Sequence, residues 1–169
     1  MANNTLRARD TISGALGSCF ITMYMDREGK KTDTKQRYRF GQVSKLDADI
    51  ELTKASFIPL GQTEEVNKIT GSKGKGSATF KFDTAMFLKM YNYFRETGQE
   101  MFFDMQVNNE DKASTAKSQT VTLKNCLLDT IPIARLDTSA ATLEANISFT
   151  YEYAAEGSNT FEQIREGWF

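Results

Sequence analysis

Apolar and polar residues alternate with period two along much of this chain, which puts successive side chains on opposite faces of a strand. The longest run is residues 142–154. Leu143, Ala145, Ile147, Phe149, Tyr151 and Tyr153 share one face, and Glu144, Asn146, Ser148, Thr150 and Glu152 share the other. In residues 43–53, Leu46, Ala48, Ile50 and Leu52 alternate with Lys45, Asp47, Asp49 and Glu51. Residues 77–82 turn Ala78, Phe80 and Phe82 inward, and residues 101–107 set Met101, Phe103, Met105 and Val107 against Phe102, Asp104 and Gln106. Residues 119–135 are β-rich, with Pro132 predicting a bulge or an edge. Residues 20–25 and 34–40 read as a hairpin around Arg27-Glu28-Gly29-Lys30.

One segment changes period. Over residues 83–97, Phe87, Leu88, Tyr91 and Phe94 recur at helical spacing. Asp83 or Thr84 can cap the start, and Gly98 can end the helix in the left-handed conformation. A single helix over 84–97, lying across a sheet opening, is the expectation. Residues 57–72 contain Pro59, Gly61 and Gly71 and sustain no period, which predicts a long loop. A break at Glu156-Gly157 divides a β domain, residues 1–157, from a C-terminal tail, residues 158–169, in which Phe161, Ile164, Trp168 and Phe169 are too apolar for a purely solvated segment.

The length suits one domain that needs neither disulfide nor metal to stay folded. The 21 basic and 22 acidic side chains nearly cancel, which argues against a dedicated nucleic-acid binder and is compatible with self-association. No histidine is present, so the commonest acid/base and metal ligand is missing and a Ser-His-Asp triad cannot be built. Cys19 and Cys126 form no close-spaced pair and read as buried, reduced thiols. No apolar run reaches the ~20 residues of a membrane span, and the first ten residues lack a signal-peptide core. Synthesis and folding in the cytoplasm are expected, with the two Asn-X-Ser/Thr matches fortuitous.

The chemistry-bearing constellations are weak. Asp47, Asp49 and Glu51 line one strand face and could hold a hard cation, but a solvated or interface face with Lys45 as counter-charge fits better. Gly71-Ser72-Lys73-Gly74-Lys75-Gly76-Ser77 imitates a phosphate loop, yet Ser77 stands where the loop lysine belongs, so a flexible loop edge is the reading. Asn108-Asn109-Glu110-Asp111 lacks the calcium-loop pattern and reads as a connection. The aromatic stripe Phe149, Tyr151 and Tyr153 suits sheet packing more than a ligand cleft. No cofactor or metal is expected, and no catalysis.

An ordered set of segments resembles the XkdM-like tail tube proteins of contractile phages, defective prophages and phage-tail bacteriocins. The set runs through Arg9-Asp10-Thr11-Ile12-Ser13-Gly14, Thr70-Gly71, residues 74–82 and Tyr93-Phe94-Arg95-Glu96-Thr97-Gly98-Gln99-Glu100. It continues with Phe102-Phe103-Asp104, Asn108-Asn109-Glu110-Asp111, residues 119–126, Ile131-Pro132-Ile133-Ala134-Arg135-Leu136-Asp137 and Ile147-Ser148-Phe149-Thr150-Tyr151-Glu152. The charged hairpin over residues 26–37 and the tail over 160–169 depart from it.

The resemblance implies a mainly β fold, a sandwich or half-barrel with one flanking helix, that completes a continuous barrel in a hexameric ring. It implies rings stacked into a hollow tube within a contractile sheath, in a virion tail or phage-tail-like particle. The tube would conduct DNA as non-specific passing cargo or puncture a target envelope. Implied partners are further copies of the chain, the sheath, and tape-measure and baseplate proteins, with no membrane insertion by the subunit. On this reading the polar faces, Asp47, Asp49 and Glu51 with Glu144, Asn146 and Glu152, line the bore, and acidic lining keeps DNA from sticking. Phe57, Ile58, Glu64, Glu65 and Lys68 of the long loop would make the ring-to-ring contact, with the arm over residues 1–13 as a second candidate. The helix would face the sheath. A related secretion-system ring protein is the alternative, and a monomeric β-barrel with a ligand on Phe149, Tyr151 and Tyr153 is a third reading.

Overall fold

A computed structural model describes residues 11–41, 43–114 and 118–159, with side chains through residue 157. After a short 3-10 turn at Gly14–Leu16, eight antiparallel strands and one α-helix follow among the described residues: β1 Ser18–Met25, β2 Lys31–Arg39, β3 Val43–Phe57, β4 Val66–Lys81, α1 Met86–Thr97, β5 Phe103–Glu110, β6 Ser118–Thr130, β7 Glu144–Tyr151 and β8 Tyr153–Asn159. The strands form one sheet in the order β2-β1-β5-β6-β7-β4-β3, with β8 added beside β6.

That sheet folds over on itself at a corner made by two residues. Asn125 takes a left-handed backbone at φ 53°, which short polar side chains tolerate best after glycine. Its side-chain amide donates to the Glu152 carboxylate at 2.7 Å, and the Glu152 amide donates to the Lys124 carbonyl at 3.1 Å. Before the corner β6 pairs with β5 and β8, and after it, at Leu127–Thr130, with β7. The long strand expected over residues 142–154 therefore breaks at Glu152. Its alternation holds through Tyr151, and Tyr153 then emerges exposed in the other layer. β8 runs across the break expected at Glu156-Gly157, because Gly157 packs its backbone against Thr120 of β6.

Between the layers, Ile21, Met23, Met105 and Phe103 of one sheet half face Phe80, Ile147 and Phe149 of the other, all nearly inaccessible to solvent. The Phe103 and Phe149 rings meet edge-on at 6.2 Å. α1 closes one end. Phe87 joins Phe40 and Phe80 in a ring cluster with centroids 5.2–5.7 Å apart. The helix starts at Met86, with the Thr84 hydroxyl accepting from the Met86 amide, and Gly98 ends it at φ 70°. Its buried face is narrower than the spacing predicts: Phe87 and Met90 are covered, while Tyr91 and Phe94 are exposed.

The β1–β2 hairpin turns at residues 26–30, where the Asp26 carboxylate accepts from the Glu28 and Lys30 amides and Gly29 supplies φ 89°. β6 ends at Thr130, two residues before Pro132, which fits a residue that cannot donate to the ladder.

Candidate assembly surfaces

The segment expected as a long loop over residues 57–72 is mostly strand. β3 and β4 form one hairpin, paired from Val43↔Phe80 to Phe57↔Val66, and only residues 58–65 connect them. Period two is obscured there by a bulge: Thr53 pairs with Gly71 and Lys54 with Ile69, leaving Thr70 unmatched and reversing the alternation along β4. Phe57 therefore ends β3, Ile58, Glu64 and Glu65 lie in the connection, and Lys68 sits in β4 opposite Ala55. All five are exposed.

The Gly-Lys-Gly stretch is not a loop edge either. Gly74 and Gly76 lie inside β4, opposite Tyr151 and Phe149 of β7. The aromatic rings pack directly against the glycines. A Cβ on Gly74 would sit 2.5 Å from the Tyr151 ring, and one on Gly76 would overlap the Phe149 ring. Reaching across Gly74, the Tyr151 hydroxyl donates to the Asp49 carbonyl of β3 at 2.8 Å. The glycines are absent side chains that let two aromatics seal the layer. Phe149 and Tyr151 are core, and Tyr153 leaves on another strand, so the stripe proposed as a ligand cleft is not assembled.

Beyond those rings the hairpin leaves its own core. On the face that buries Ala78 and Phe80, Leu46 is half-buried, but Ile50 is 52% and Leu52 48% exposed. Ile69, carried to the same side by the bulge, is also exposed. The tip adds Ile58 and a fully exposed Leu60. Residues 43–53 thus form the expected strand, but the outer half of its apolar face stays exposed among the described residues.

The opposite face of this layer is polar. Register brings Lys45, Asp47, Asp49 and Glu51 of β3 beside Thr79, Ser77, Lys75 and Lys73 of β4, and the latter strand beside Glu144, Asn146, Ser148 and Thr150 of β7. Lys45 pairs with Asp47 at 3.0 Å, Lys75 with Glu51 at 2.7 Å, and Lys81 with Glu144. The hydrogen bond from Lys75 holds the Glu51 carboxyl below its ordinary range and raises the Lys75 ammonium in turn. Glu152 is not part of this face, being held at the corner by Asn125.

The acidic lining expected from sequence is thus corrected. Four lysines (45, 73, 75 and 81) stand among Asp47, Asp49, Glu51 and Glu144, so the face is charge-balanced. Lys73 and Lys75 escaped notice because they belong to the glycine-rich stretch read as a loop edge. Among the described residues no group of three side chains is placed to hold a metal, and Asp47 and Glu51 are already ion-paired.

This layer, β3-β4-β7 and the end of β6, is open at both sides among the described strands. β3 is a terminal strand of the sheet, and β5 covers β6 only as far as Cys126, leaving Leu127–Thr130 with β7 alone. Such edges offer unpaired backbone groups to another chain.

Two polar anchors fix the remainder. Asp104, on the outward face of β5, accepts from the Asn125 amide at 3.1 Å and pairs with Lys35 at 3.1 Å and Lys124 at 3.2 Å. Burial alone would raise its pKa. The Asn125 amide and the two lysines outweigh that and hold it below the ordinary range. Alternation marks Asp104 only as outward-facing, since its lysines come from β2 and β6 and only the register sets them beside it. Asp111 accepts from Ser13 at 3.0 Å and from Ala113 at 2.9 Å, tying the chain's start to the turn after β5. The rest of the N-terminal arm, to Asp10, and the tail from residue 160 lie outside the described residues. Burial pushes the free thiols of Cys19 and Cys126 up to about 12. No described helix is long and apolar enough to cross a membrane.

Comparison with known proteins supplies the family. The chain is 28% identical over 147 residues to the phage-like element PBSX protein XkdM of Bacillus subtilis strain 168, spanning 87% of this chain and 90% of the relative. It is equally similar to a second protein of that bacterium, YqbM, over the same extent. In fold it resembles a chain in the tube-terminating cap of the anti-feeding prophage, with a TM-score of 0.64, 10% identity, and coverage of 94% of this chain and 99% of the other. A chain in the extended sheath–tube complex of the PVC extracellular contractile injection system superposes with a TM-score of 0.57 at 10% identity, covering 93% and 94%. The sequence profile of one family, described as phage tail tube protein, matches residues 4–154, and the chain belongs to that family.

Proposed function

We propose that this chain is the repeating subunit of a tail tube, closing with copies of itself into hexameric rings that stack into a hollow conduit within a contractile sheath. A structural role in a virion tail or phage-tail-like particle follows from the family. The observation that carries the finer reading is the layer β3-β4-β7-β6, polar on one face and open at both edges. Its edges are different in kind, a full-length β3 and the short Leu127–Thr130 end of β6. Unlike edges pair head to tail, and head-to-tail contacts generate closed rings when the rotation closes. Six copies so joined make one barrel whose balanced face, Asp47, Asp49, Glu51, Glu144 and Asn146 with their lysines, lines the bore. A lining of paired charges gives a passing polyanion neither a binding site nor a strong barrier.

The β3–β4 arm then covers its exposed Ile50, Leu52 and Ile69 against a neighbouring subunit, and its tip, with Phe57, Ile58, Glu64, Glu65 and nearby Lys68, reaches the next ring. The subunit works by assembly and carries out no reaction of its own. Whether the tube delivers DNA or perforates an envelope depends on the particle around it.

Electron microscopy of the concentrated protein, with and without baseplate initiator, tests this. Tubes or six-fold rings are expected for the unaltered chain, and dispersed subunits of unchanged thermal stability for Leu52→Asp. Uniform monomers even with initiator refute the reading. So does a reconstruction in which Asp47 and Glu144 are both buried at subunit contacts.

A further inference from the structure

A cleft of about 860 Å³ separates the base of the β3–β4 arm from the layer that carries β1, β5, β6 and β8. One wall is the inward face of β3, with Leu46, Ala48 and Ile50. The other carries Val107, Val121 and Ala154. Register puts the first three on the side of buried Ala78, and the second three on the side of buried Leu123, so both walls face the space between the layers. Packed sheets interdigitate their side chains and leave no gap of this size. Here Leu46, Val107 and Val121 are half-buried, and Ala48, Ile50 and Ala154 are exposed. The volume falls within the ~300–1,000 Å³ of clefts that take an occupant.

The chain itself leads to this opening. β8 runs from Ala154, on the cleft wall, to Asn159, which pairs with Gln119 of β6. Gln119 pairs in turn with Asn109 of β5, another cleft residue. The chain therefore leaves β8 about two strand spacings, ~10 Å, from the cleft. Residues 160–169 follow, reading Thr-Phe-Glu-Gln-Ile-Arg-Glu-Gly-Trp-Phe. Phe161, Ile164 and Trp168 fall at i, i+3 and i+7, with Glu162, Gln163, Arg165 and Glu166 between them. That is the spacing of the anchors by which an amphipathic segment fills an apolar groove. Ten residues reach ~15 Å as a helix or ~33 Å extended, and either is longer than the ~10 Å between packed sheets.

We propose that residues 160–169 dock in this cleft of their own subunit, seating Phe161, Ile164 and Trp168 between β3 and the β5–β6–β8 layer. In the dispersed subunit this covers Leu46, Ala48 and Ile50 at the base of the arm. Leu52 and Ile69, further out, stay open to a neighbour. The other segment outside the described residues, 1–10, also adjoins the cleft, since Gly14 and Gly17 line it. Its large apolar side chains are Met1 and Leu6, among Asn3, Asn4, Arg7, Arg9 and Asp10, so apolar walls favour 160–169 over it. This docking belongs to the dispersed subunit and is independent of the tube reading.

Trp168 is the only tryptophan of the chain, so intrinsic fluorescence reads this segment directly. In the dilute, dispersed subunit its emission is expected at shorter wavelength than in the urea-unfolded chain, with several-fold weaker quenching by acrylamide. Ile50→Asp and, from the opposite wall, Ala154→Asp alter exposed side chains, so circular dichroism is expected to report an intact fold. Both are expected to move the emission to the red and to restore quenching toward the unfolded value. Leu60→Asp, at the tip of the arm and outside the cleft, is expected to change neither. Emission and quenching of the unaltered subunit equal to those of the unfolded chain overturn the proposal, leaving the cleft to residues 1–10 or to another chain. So does shielding that both cleft variants leave intact, which would place the segment elsewhere on the subunit. Shielding lost on dilution together with a dimer would seat the segment in a second copy and overturn docking within one chain.

Discussion

Gly76 is the position where one methyl group tests the packing most directly. The Phe149 ring, wholly buried, lies against Gly76 on one side and meets Phe103 at 6.2 Å on the other, so it has little room to yield. A Cβ at residue 76 forces the ring, the strand or both to move, and overpacking of this kind costs ~1–3 kcal/mol. Against that stands the ~0.5–1 kcal/mol that alanine gains over glycine within a strand. The net for Gly76→Ala is a loss of up to roughly 2.5 kcal/mol, or up to roughly 10 °C in Tm for a chain this long. Gly71, in the same strand, is the internal control, because a Cβ there meets only Thr53, at 3.9 Å. Gly71→Ala is expected to be neutral or mildly stabilising. Thermal and urea unfolding of the dispersed subunit, followed by circular dichroism, reads both. In a Phe149→Ala background the Gly76→Ala penalty is expected to vanish, a coupling of ~1–3 kcal/mol. Equal stability of Gly76→Ala and Gly71→Ala, or a penalty that survives removal of the ring, would show that the glycine is not there to seat Phe149.

Asp104→Asn is expected to cost ~1–3 kcal/mol at neutral pH, the range for charge-assisted hydrogen bonds, measured by urea unfolding. The native state holds this carboxyl below its ordinary pKa, so its contribution is present above the unfolded value and fades as pH falls through the native one. The unaltered chain should therefore lose more stability between pH 5 and pH 2 than Asp104→Asn does, and parallel acid limbs would contradict the assignment. Cys19 and Cys126, their thiols raised to about 12 by burial, should resist a thiol reagent at pH 8 in the folded subunit and both react once it is unfolded. Lys73→Glu/Lys75→Glu makes the balanced face acidic; exposed pairs contribute little, so subunit stability should change by less than about 1 kcal/mol while the variant tube's bore becomes repulsive to DNA, read as slower passage in single-tube conductance.

The parts of this fold that were legible in the sequence are those where neighbours along the chain also decide burial. β7 could be read outright, since Ala145, Ile147, Phe149 and Tyr151 all enter the core. The helix and its Gly98 terminus were equally plain, because capping is local. What could not be read depends on register. The Thr70 bulge disguised the far half of β4 as a loop, and with it the lysines that balance Asp49 and Glu51. Asp104 gained one lysine from β2, 69 residues back, and the other from the next strand, β6, and only the register brings both beside it. Ile50 and Leu52 show the reverse. Their alternation announces a buried face, yet they are exposed among the described residues. An apolar face left open among the described residues is what the proposed assembly would cover.

The corner at Asn125 and Glu152 has a mechanical side. Two layers joined only by ladder hydrogen bonds or by loose loops can peel or slide when one is loaded. Here β6 passes from one layer to the other without a loop, and β7 and β8 cross beside it with a single residue between them. In the proposed tube, a load applied to the layer turned away from the bore would reach the bore-facing layer along two covalent backbones side by side, braced by the Asn125–Glu152 bond. For a conduit driven forward by a shell around it, that is the difference between a laminate and a single casting.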